Sequence, residues 1–306
     1  MPSERLLEVV AAVEARRPAT RRGPGRSIEE LDSLVRLELV LAVEEAFGVD
    51  FADEELAGIK TLDALDAAIE RKRQAAGPRR AAEEPPAARV ESAPPASSLV
   101  ASPWHAPVRA LAPAMMRIAF GVRTRGAGQL PAGGAFLLCA NHGSHLDSLA
   151  LLTAVGPRRA DLVFPAARDY FFSGRRLARI AARGLPLVPL EREGRVGALK
   201  QNLRELEACA ARGRVVVLFP EGTRSRDGEL QPFRDGLAFL AERLHMPVVP
   251  CWIEGTARAL PRGTWWPRPG RVSVAFGAPL AAPAAGDETF TERVRAAMLA
   301  LRAAGR

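Results

Sequence analysis

A histidine followed five residues later by an aspartate can supply a general base and the group that orients it. His142 opens the stretch His-Gly-Ser-His-Leu-Asp, which ends at Asp147. The carboxylate can hold one imidazole nitrogen and fix the tautomer, so the other nitrogen is left to take a proton from a hydroxyl. A surface histidine near an aspartate in a first helical turn would give the same pattern. His145 is a second candidate base.

A later segment supplies groups that bind an anion. Residues 219–225 have the sequence Phe-Pro-Glu-Gly-Thr-Arg-Ser. Gly222 lets the backbone approach an anion closely, Thr223 can donate from its hydroxyl, and Arg224 can bind phosphate through two parallel N–H groups. Glu221 is expected to orient the arginine or the acceptor. A strand-to-loop turn with a solvent ion pair is the alternative for this segment alone. Together, the histidine and this segment indicate acyl transfer to a hydroxyl of a phosphorylated acceptor.

Two apolar runs are predicted to be the strands that carry these groups. Residues 135–140 precede His142, and residues 215–219 lead into the anion-binding segment. Short continuous apolar runs are typical of buried strands, and open α/β sheets gather their chemistry at the carboxyl ends of strands. Residues 146–155 are predicted to form the helix that has Asp147 in its first turn. No Gly-x-Ser-x-Gly elbow is present, which disfavours a serine hydrolase.

Four motifs in order resemble those of the glycerolphosphate and lysophosphatidic acid acyltransferase family. Residues 141–147 and 219–225 are similar to the first and third motifs of that family. Residues 232–236, Pro-Phe-Arg-Asp-Gly, resemble its Pro-Phe-basic-x-Gly stretch, and residues 249–256 resemble its fourth motif. The order and the gaps also agree, over about residues 103–280.

The resemblance implies an α/β domain with a mixed sheet flanked by helices and a reaction that needs no metal. His142, oriented by Asp147, would deprotonate the hydroxyl of a lysophospholipid such as 1-acylglycerol-3-phosphate. That oxygen would attack an acyl thioester carried by acyl-CoA or by acyl carrier protein. Arg224 would hold the phosphate, with Glu221, Gly222 and Thr223 beside it. Residues 184–192 resemble the second motif, with an extra proline that shifts its spacing, and make Arg192 a further phosphate ligand.

Other functions remain open from the sequence. The acceptor could be a non-glycerol molecule, such as a lyso-aminolipid or a secondary metabolite. The chain could also be a non-catalytic carrier or lipid-binding module. A nucleic-acid partner is not expected, although the net charge is +8, because residues 27–70 carry 13 acidic and 2 basic side chains. Such a division of charge is typical of two modules that attract each other, or of a basic body that meets anionic surfaces.

The acidic N-terminal part is predicted to contain a helix over residues 35–47. Its core stripe holds apolar residues at helical spacing, whereas Ser33, Leu37, Leu41 and Glu44 are expected to line the opposite face. The core stripe consists of Val35, Leu39, Ala42, Val43 and Ala46. Asp32 or Ser33 could simply cap this helix.

Residues 4–72 resemble the acyl carrier protein family, through Asp-Ser-Leu at 32–34, the run Glu-Glu-Ala-Phe-Gly-Val and the acidic turn at 53–55. By that resemblance Ser33 carries 4′-phosphopantetheine, a flexible thiol arm that holds acyl chains as thioesters. A phosphopantetheinyl transferase would attach the arm. Basic partners, acyl carrier protein among the candidates, would contact the acidic face that includes Glu44.

The predicted organisation is a small all-α carrier bundle at 1–73, a disordered Pro/Ala-rich linker at 74–103, and an acyltransferase-like domain at 104–306. No apolar run reaches the ~18 residues of a spanning helix, and no signal peptide is evident. Three unclustered cysteines indicate reduced thiols. We therefore expect a cytoplasmic protein, peripherally associated with the inner face of the plasma membrane.

Three segments are candidates for contact with an anionic membrane surface. One is a basic helical stripe, a second is the irregular apolar stretch from Trp104 to Arg123, and a third is the tryptophan pair Trp265-Trp266. The stripe consists of Arg176, Arg179 and Arg183. A solvated basic face and ordinary packing are the alternatives.

Overall fold

The computed structural model of the chain forms two compact units. One comprises residues 1–94 and 191–204, and the other comprises residues 95–190 and 205–306. The structure describes residues 2–15, 28, 31–75, 103–167, 184–191, 196–225, 227–234, 236–264 and 266–305. The candidates Arg176, Arg179, Arg183, Arg192 and Trp265, and most of the predicted linker, lie outside the described residues.

The first unit is helical, as the sequence predicts. Its N-terminal part contains α1 (Glu4–Ala15), α2 (Ser33–Phe47), α3 (Asp53–Ala57) and α4 (Leu62–Ala75). Helix α2 begins where the Asp32 carboxylate accepts a hydrogen bond from the Val35 N–H at 3.0 Å, and it ends at Gly48, whose φ is +63°. Ser33 stays exposed in the first turn.

The outward face predicted for α2 is only partly correct. Leu37 was assigned to that face, but it is 4% exposed and belongs to the core. The helix buries Val35, Leu39, Val40 and Val43 as well, so its apolar arc is wider than one stripe. A helix packed by neighbours on more than one side buries residues that a single-stripe pattern leaves outside.

Lys200 brings a buried cation into the first unit. Its ammonium donates to Glu44 Oε1 at 2.6 Å and also bonds to the Asp50 carboxylate. The Phe51 N–H donates to the same Glu44 oxygen at 2.7 Å. Burial raises the pKa of Glu44. Although burial also acts on Asp50, the hydrogen bond from Lys200 holds the pKa of Asp50 below its usual value. The Glu44 carboxylate therefore accepts its hydrogen bonds from within this unit.

The second unit is built on a seven-stranded sheet with the order β1-β7-β6-β2-β5-β3-β4. Neighbouring strands are parallel except β6 and β7, which are antiparallel, so the predicted mixed sheet is confirmed. The strands are β1 (Arg123–Arg125), β2 (Phe136–Ala140), β3 (Leu162–Ala167), β4 (Leu187–Leu190), β5 (Val215–Leu218), β6 (Val248–Glu254) and β7 (Ser273–Phe276).

Helices flank this sheet, and the remaining helices of the chain follow in order. They are α5 (His105–Phe120), α6 (Asp147–Ala154), α7 (Val196–Ala211), α8 (Leu237–Arg243), α9 (Thr256–Ala259) and α10 (Phe290–Ala303). Two 3₁₀ turns lie at Ala127–Gln129 and Gly156–Ala160. The predicted helix at 146–155 corresponds to α6 and is confirmed.

The two strands expected to carry the chemistry are neighbours at the centre of the sheet. Strand β2 is buried along its whole length and pairs in parallel with β5, with Cys139 opposite Leu218. Because parallel strands end at the same edge of a sheet, the segments that follow β2 and β5 leave it side by side. The predicted strands at 135–140 and 215–219 are thus confirmed to within one residue at each end.

Helix α5 corrects the prediction of an irregular segment after Trp104. The chain is helical from His105 to Phe120, with Pro107 in the first turn and Pro113 inside. An interior proline removes one backbone hydrogen bond, and here its ring is buried within the core side of the helix. Across the described residues, we find no helix both long enough and apolar enough to traverse a bilayer.

The three cysteines are free thiols, as their spacing predicts, and all are buried. Burial raises the pKa of Cys139, Cys209 and Cys251. These thiols therefore stay protonated at neutral pH and serve as small apolar groups in the core.

Candidate active site

The His142–Asp147 pair is formed in the turn between β2 and α6. The Asp147 side chain is fully buried, and its Oδ2 lies 2.9 Å from His142 Nδ1. The same oxygen accepts backbone N–H groups from Gly143 and Ser144, each at 2.8 Å. A carboxylate oxygen can only accept, so Nδ1 carries the proton and Nε2 presents a lone pair. This is the arrangement a general base requires.

The imidazole is also held through its ring face. Phe219, the first residue after β5, stacks on His142 with ring centroids 4.1 Å apart and planes at 20°. The His142 side chain keeps 22% of its surface exposed, so the ring remains accessible. Stacking and the Asp147 contact together restrict both torsions of the histidine side chain.

Glu221 joins the two sequence motifs through the backbone. The residue is 4% exposed. Its Oε1 accepts the His142 N–H at 2.8 Å, and its Oε2 accepts the Gln231 N–H at 2.9 Å. Burial raises the pKa of Glu221, although these two hydrogen bonds act in the opposite direction. Both oxygens are thus occupied by main-chain donors, a role the sequence did not indicate.

Ser225 completes a second connection between the motifs. Its N–H donates to the His142 carbonyl at 2.7 Å. The Ser225 hydroxyl bonds within its own loop, to Asp227 and to the Glu229 carbonyl, each at 2.9 Å. The peptide groups on both sides of the His142 Cα are therefore bound by the segment that carries Arg224. His142 and residues 219–225 therefore lie side by side, as the positions of their motifs after neighbouring strands predict.

The backbone of the anion loop turns sharply at Gly222, whose φ is +67°. Thr223 is exposed and Arg224 is partly exposed. Arg234, from the Pro-Phe-Arg-Asp-Gly stretch, lies against the same glycine. The loop therefore presents a hydroxyl, backbone N–H groups and guanidinium groups, which are the donors an anion requires.

His145 is not suited to be the base. Burial lowers its pKa to about 4, and the nearby charges of Arg224 and His142 act in the same direction. The residue as a whole is exposed, so water relieves part of this effect.

Two polar residues of the histidine turn have roles that the sequence did not reveal. Asn141 exchanges two hydrogen bonds with the Ile253 backbone, at 2.9 Å and 2.7 Å. Ser144 is buried, and its hydroxyl donates to the Leu260 carbonyl at 2.8 Å. These bonds tie the turn to β6 and to the segment after α9. Both residues lie inside the first motif, and this position is the feature of the sequence that could have identified them.

The chain was compared with known proteins at the level of sequence families. Residues 121–254 match the family model described as Acyltransferase. This segment is therefore similar to the acyltransferase family. Residues 4–69, which include Ser33, match the model described as Phosphopantetheine attachment site. The N-terminal match supports the carrier-like domain predicted by resemblance, and the acyltransferase-like match follows it along the chain.

Individual relatives resemble part of this chain. A Limnanthes douglasii protein named 1-acyl-sn-glycerol-3-phosphate acyltransferase is 33% identical over 93 residues, which cover 30% of this chain and 33% of that protein. Human 1-acyl-sn-glycerol-3-phosphate acyltransferase alpha is 28% identical over 130 residues, 42% of this chain and 44% of that protein. The chain thus spans less than half the length of these relatives.

A solved structure shares the fold. The crystal structure of the 1-acyl-sn-glycerophosphate (LPA) acyltransferase PlsC from Thermotoga maritima aligns with a TM-score of 0.53 and 24% identity. The alignment covers 65% of this chain and 79% of that one. The sheet and its flanking helices are therefore those of a known acyltransferase fold.

Proposed function

We propose that the chain transfers a fatty acyl group from an acyl thioester to the hydroxyl of a lysophospholipid such as 1-acylglycerol-3-phosphate. One observation carries the proposal. The His142 N–H binds Glu221 and the His142 carbonyl binds the Ser225 N–H, so the base is fastened to the loop that bears Arg224. A hydroxyl and a phosphate that are joined by a short glycerol unit can then reach both groups at once.

The chemical step follows from the orientation of the imidazole. His142 Nε2 takes the proton of the acceptor hydroxyl while that oxygen attacks the thioester carbonyl. The tetrahedral intermediate collapses with cleavage of the carbon–sulfur bond, and the imidazolium returns the proton to the departing sulfur. Asp147 stabilises the imidazolium formed in between. Arg224 holds the phosphate, and Arg192 is proposed as a further ligand.

The carrier domain is proposed to hold 4′-phosphopantetheine on Ser33. Support comes from the match to the attachment-site model and from the exposure of Ser33 in the first turn of α2. The donor is then acyl-CoA, a free acyl carrier protein or the arm of Ser33 itself. A tethered donor would raise the effective concentration of thioester without any new contact.

The proposed location of the reaction is the inner, anionic surface of the cytoplasmic membrane. Helix α5 and the residue before it support this location, because Trp104, Leu111, Met115 and Ile118 all expose large apolar side chains. These residues recur at helical spacing, whereas Ala112, Met116 and Phe120 face the core. An apolar face beside basic residues is typical of helices that lie in a membrane interface. Trp266, 84% exposed, would add a second contact.

An activity assay tests the reaction. Purified protein is given 1-acylglycerol-3-phosphate with acyl-CoA or acyl carrier protein as donor, and formation of the diacyl product is measured. His142→Asn should lower kcat by about 10³-fold or more. The matched control is His245→Asn, at an exposed loop position whose φ of +50° asparagine tolerates. No product from the wild-type chain with any donor, across a panel of lyso-acceptors, would refute the proposal.

Intact mass tests the prosthetic group separately. After co-expression with a broad phosphopantetheinyl transferase, the chain should gain about 340 Da, the mass of phosphopantetheine. The gain should be absent without the transferase and in Ser33→Ala. If the mass does not change, or if Ser33→Ala still gains it, the assignment of Ser33 is wrong. Supplying Ser33→Ala with free acyl carrier protein then separates donors in cis from donors in trans.

A further inference from the structure

The Arg234 side chain lies directly across the anion loop. A Cβ atom added to Gly222 would stand 2.6 Å from Arg234 Cδ and 3.3 Å from its Cζ, with Nε nearer still. The contact is therefore possible because residue 222 has no side chain. The Arg234 N–H donates to the Pro220 carbonyl at 2.8 Å, which holds the residue beside the loop.

Among the described residues, no hydrogen bond or ion pair explains why the guanidinium lies there. Arg234 is exposed, and its side chain makes no hydrogen bond or ion pair with any other described residue. Other arginines of this unit do have partners: Arg158 binds Asp161 at 2.7 Å, and Arg302 binds Glu229 at 2.5 Å. A guanidinium offers five N–H donors in a planar fork that matches phosphate oxygens.

The groups next to Arg234 complete an anion site. Arg224 follows Gly222 by two residues, a span of at most about 7 Å along the backbone. Thr223, between them, is exposed, and neither its hydroxyl nor its N–H bonds to another residue of the described part of the chain. Arg234 contacts Gly222 and Arg224 follows that glycine by two residues, so two cationic residues flank it. An anion bound near both would reduce the repulsion between them.

We infer that Arg234 is a second phosphate-binding residue and that, with Arg224, it selects an acceptor whose phosphate is a monoester. The inference rests on the proposed function and specifies the class of acceptor. A phosphate monoester carries a charge of about −1.5 to −2 and three terminal oxygens at neutral pH, enough for two guanidinium forks. A phosphodiester has one charge and two free oxygens, so it leaves one arginine without a full partner.

Phosphate groups also occur on thioester donors, so the test must separate the two sources. Arg234→Gln is compared with wild type for 1-acylglycerol-3-phosphate, for its methyl phosphodiester and for acyl-CoA. We expect the KM of the monoester to rise about 10- to 100-fold with little change in kcat, since a charge-assisted hydrogen bond is removed. The KM of the diester should change less, and that of acyl-CoA should stay constant. Arg234→Lys should recover part of the loss.

Arg243→Gln is the matched control, because it removes the same charge from an exposed arginine outside the proposed site, whose contact with Glu207 is 3.4 Å long. Its kinetic constants should equal those of the wild type. An unchanged monoester KM in Arg234→Gln would overturn the inference. So would an equal loss for monoester and diester, or a rise in the acyl-CoA KM in place of the acceptor KM.

Direct binding distinguishes this inference from the proposed function. Calorimetric titration with glycerol 3-phosphate should give weaker binding to Arg234→Gln than to wild type, whether or not acyl transfer occurs. If the wild type binds glycerol 3-phosphate, the variant binds it more weakly and neither protein transfers an acyl group, the proposed function is refuted and the role of Arg234 is retained. Acyl transfer with equal binding by both proteins would refute the role of Arg234 alone. Absence of both glycerol 3-phosphate binding and acyl transfer by the wild type would refute both, whereas acyl transfer without such binding would refute the role of Arg234 alone.

Discussion

Asp147→Asn tests whether the buried carboxylate acts through the charge of the imidazole. Asparagine has the same shape, and its amide oxygen can keep accepting the N–H groups of Gly143 and Ser144. Its amide nitrogen would take the place of Asp147 Oδ1, which has no partner among the described residues. The substitution therefore removes the charge opposite His142 and leaves the turn in place.

The expected loss of activity follows from the contact itself. Opposite unit charges about 4 Å apart attract by about 4 kcal/mol at an effective dielectric constant near 20. That interaction exists only while His142 is protonated, which is in the transition state. Since about 1.4 kcal/mol corresponds to a tenfold change in rate, kcat should fall about 10³-fold with little change in KM.

The assay is the single-turnover rate of acyl transfer, with thermal unfolding by circular dichroism as the measure of folding. Glu207→Gln, which weakens an exposed pair with Arg243, serves as the control and should keep wild-type activity. In a His142→Ala background, Asp147→Asn should change the rate by less than about threefold, because coupled residues are not additive. A folded Asp147→Asn protein that retains more than about a tenth of the wild-type kcat would refute this reasoning.

Three further substitutions test buried and titrating groups. Glu221→Gln should lower the free energy of unfolding by about 1–3 kcal/mol in denaturant titrations, because its amide nitrogen faces a backbone N–H and leaves that donor unbonded. The pKa of Glu221 is raised in the folded state, so protonation of Glu221 stabilises the fold below the ordinary value of 4.5, and this contribution is lost as pH rises through the raised pKa. The glutamine variant should lack this pH dependence of stability. A pH profile of stability identical to that of the wild type would contradict the assignment. On acidification from pH 6.5 to about 4, the Tm of His145→Asn should fall less than the Tm of the wild type, because the lowered pKa of His145 favours the neutral imidazole in the folded state. The difference should be small, because the residue is exposed. A larger fall of Tm in the variant would contradict this prediction. Lys200→Met should destabilise the first unit by about 3 kcal/mol, because Glu44 is left without its buried cation. The control is Arg204→Met, which removes a half-exposed cation 3.6 Å from Asp50. Equal Tm values for the two variants would contradict the role of Lys200.

The features that the sequence predicted correctly depend on local patterns. The apolar runs before His142 and Phe219 are short and continuous, as buried parallel strands are, and both strands are present. The adjacency of their loops followed from the rule that α/β sheets collect functional groups at one edge. Helix α2 was recognised from its period and from Asp32 at its start, which does cap the helix.

Other features depend on contacts that residue types do not encode. Glu221 binds two main-chain N–H groups, and any backbone in the molecule could supply such donors. Leu37 is buried because the rest of the first unit covers it, which a pattern read from a single helix does not include. Pro113 usually interrupts a helix, but tertiary packing of α5 outweighs that preference here. The distant Lys200 has no sequence signature as the partner of Glu44.

The two edge strands of the sheet affect how readily copies of the protein associate when they are crowded together. An exposed strand edge can recruit an identical strand from another molecule and so begin aggregation. Strand β1 is only three residues long and carries two exposed arginines, Arg123 and Arg125. Strand β4, at the opposite end, contains Pro189, which has no N–H to offer a new neighbour. Both edges therefore disfavour strand-by-strand polymerisation, even where many copies of the protein are crowded together.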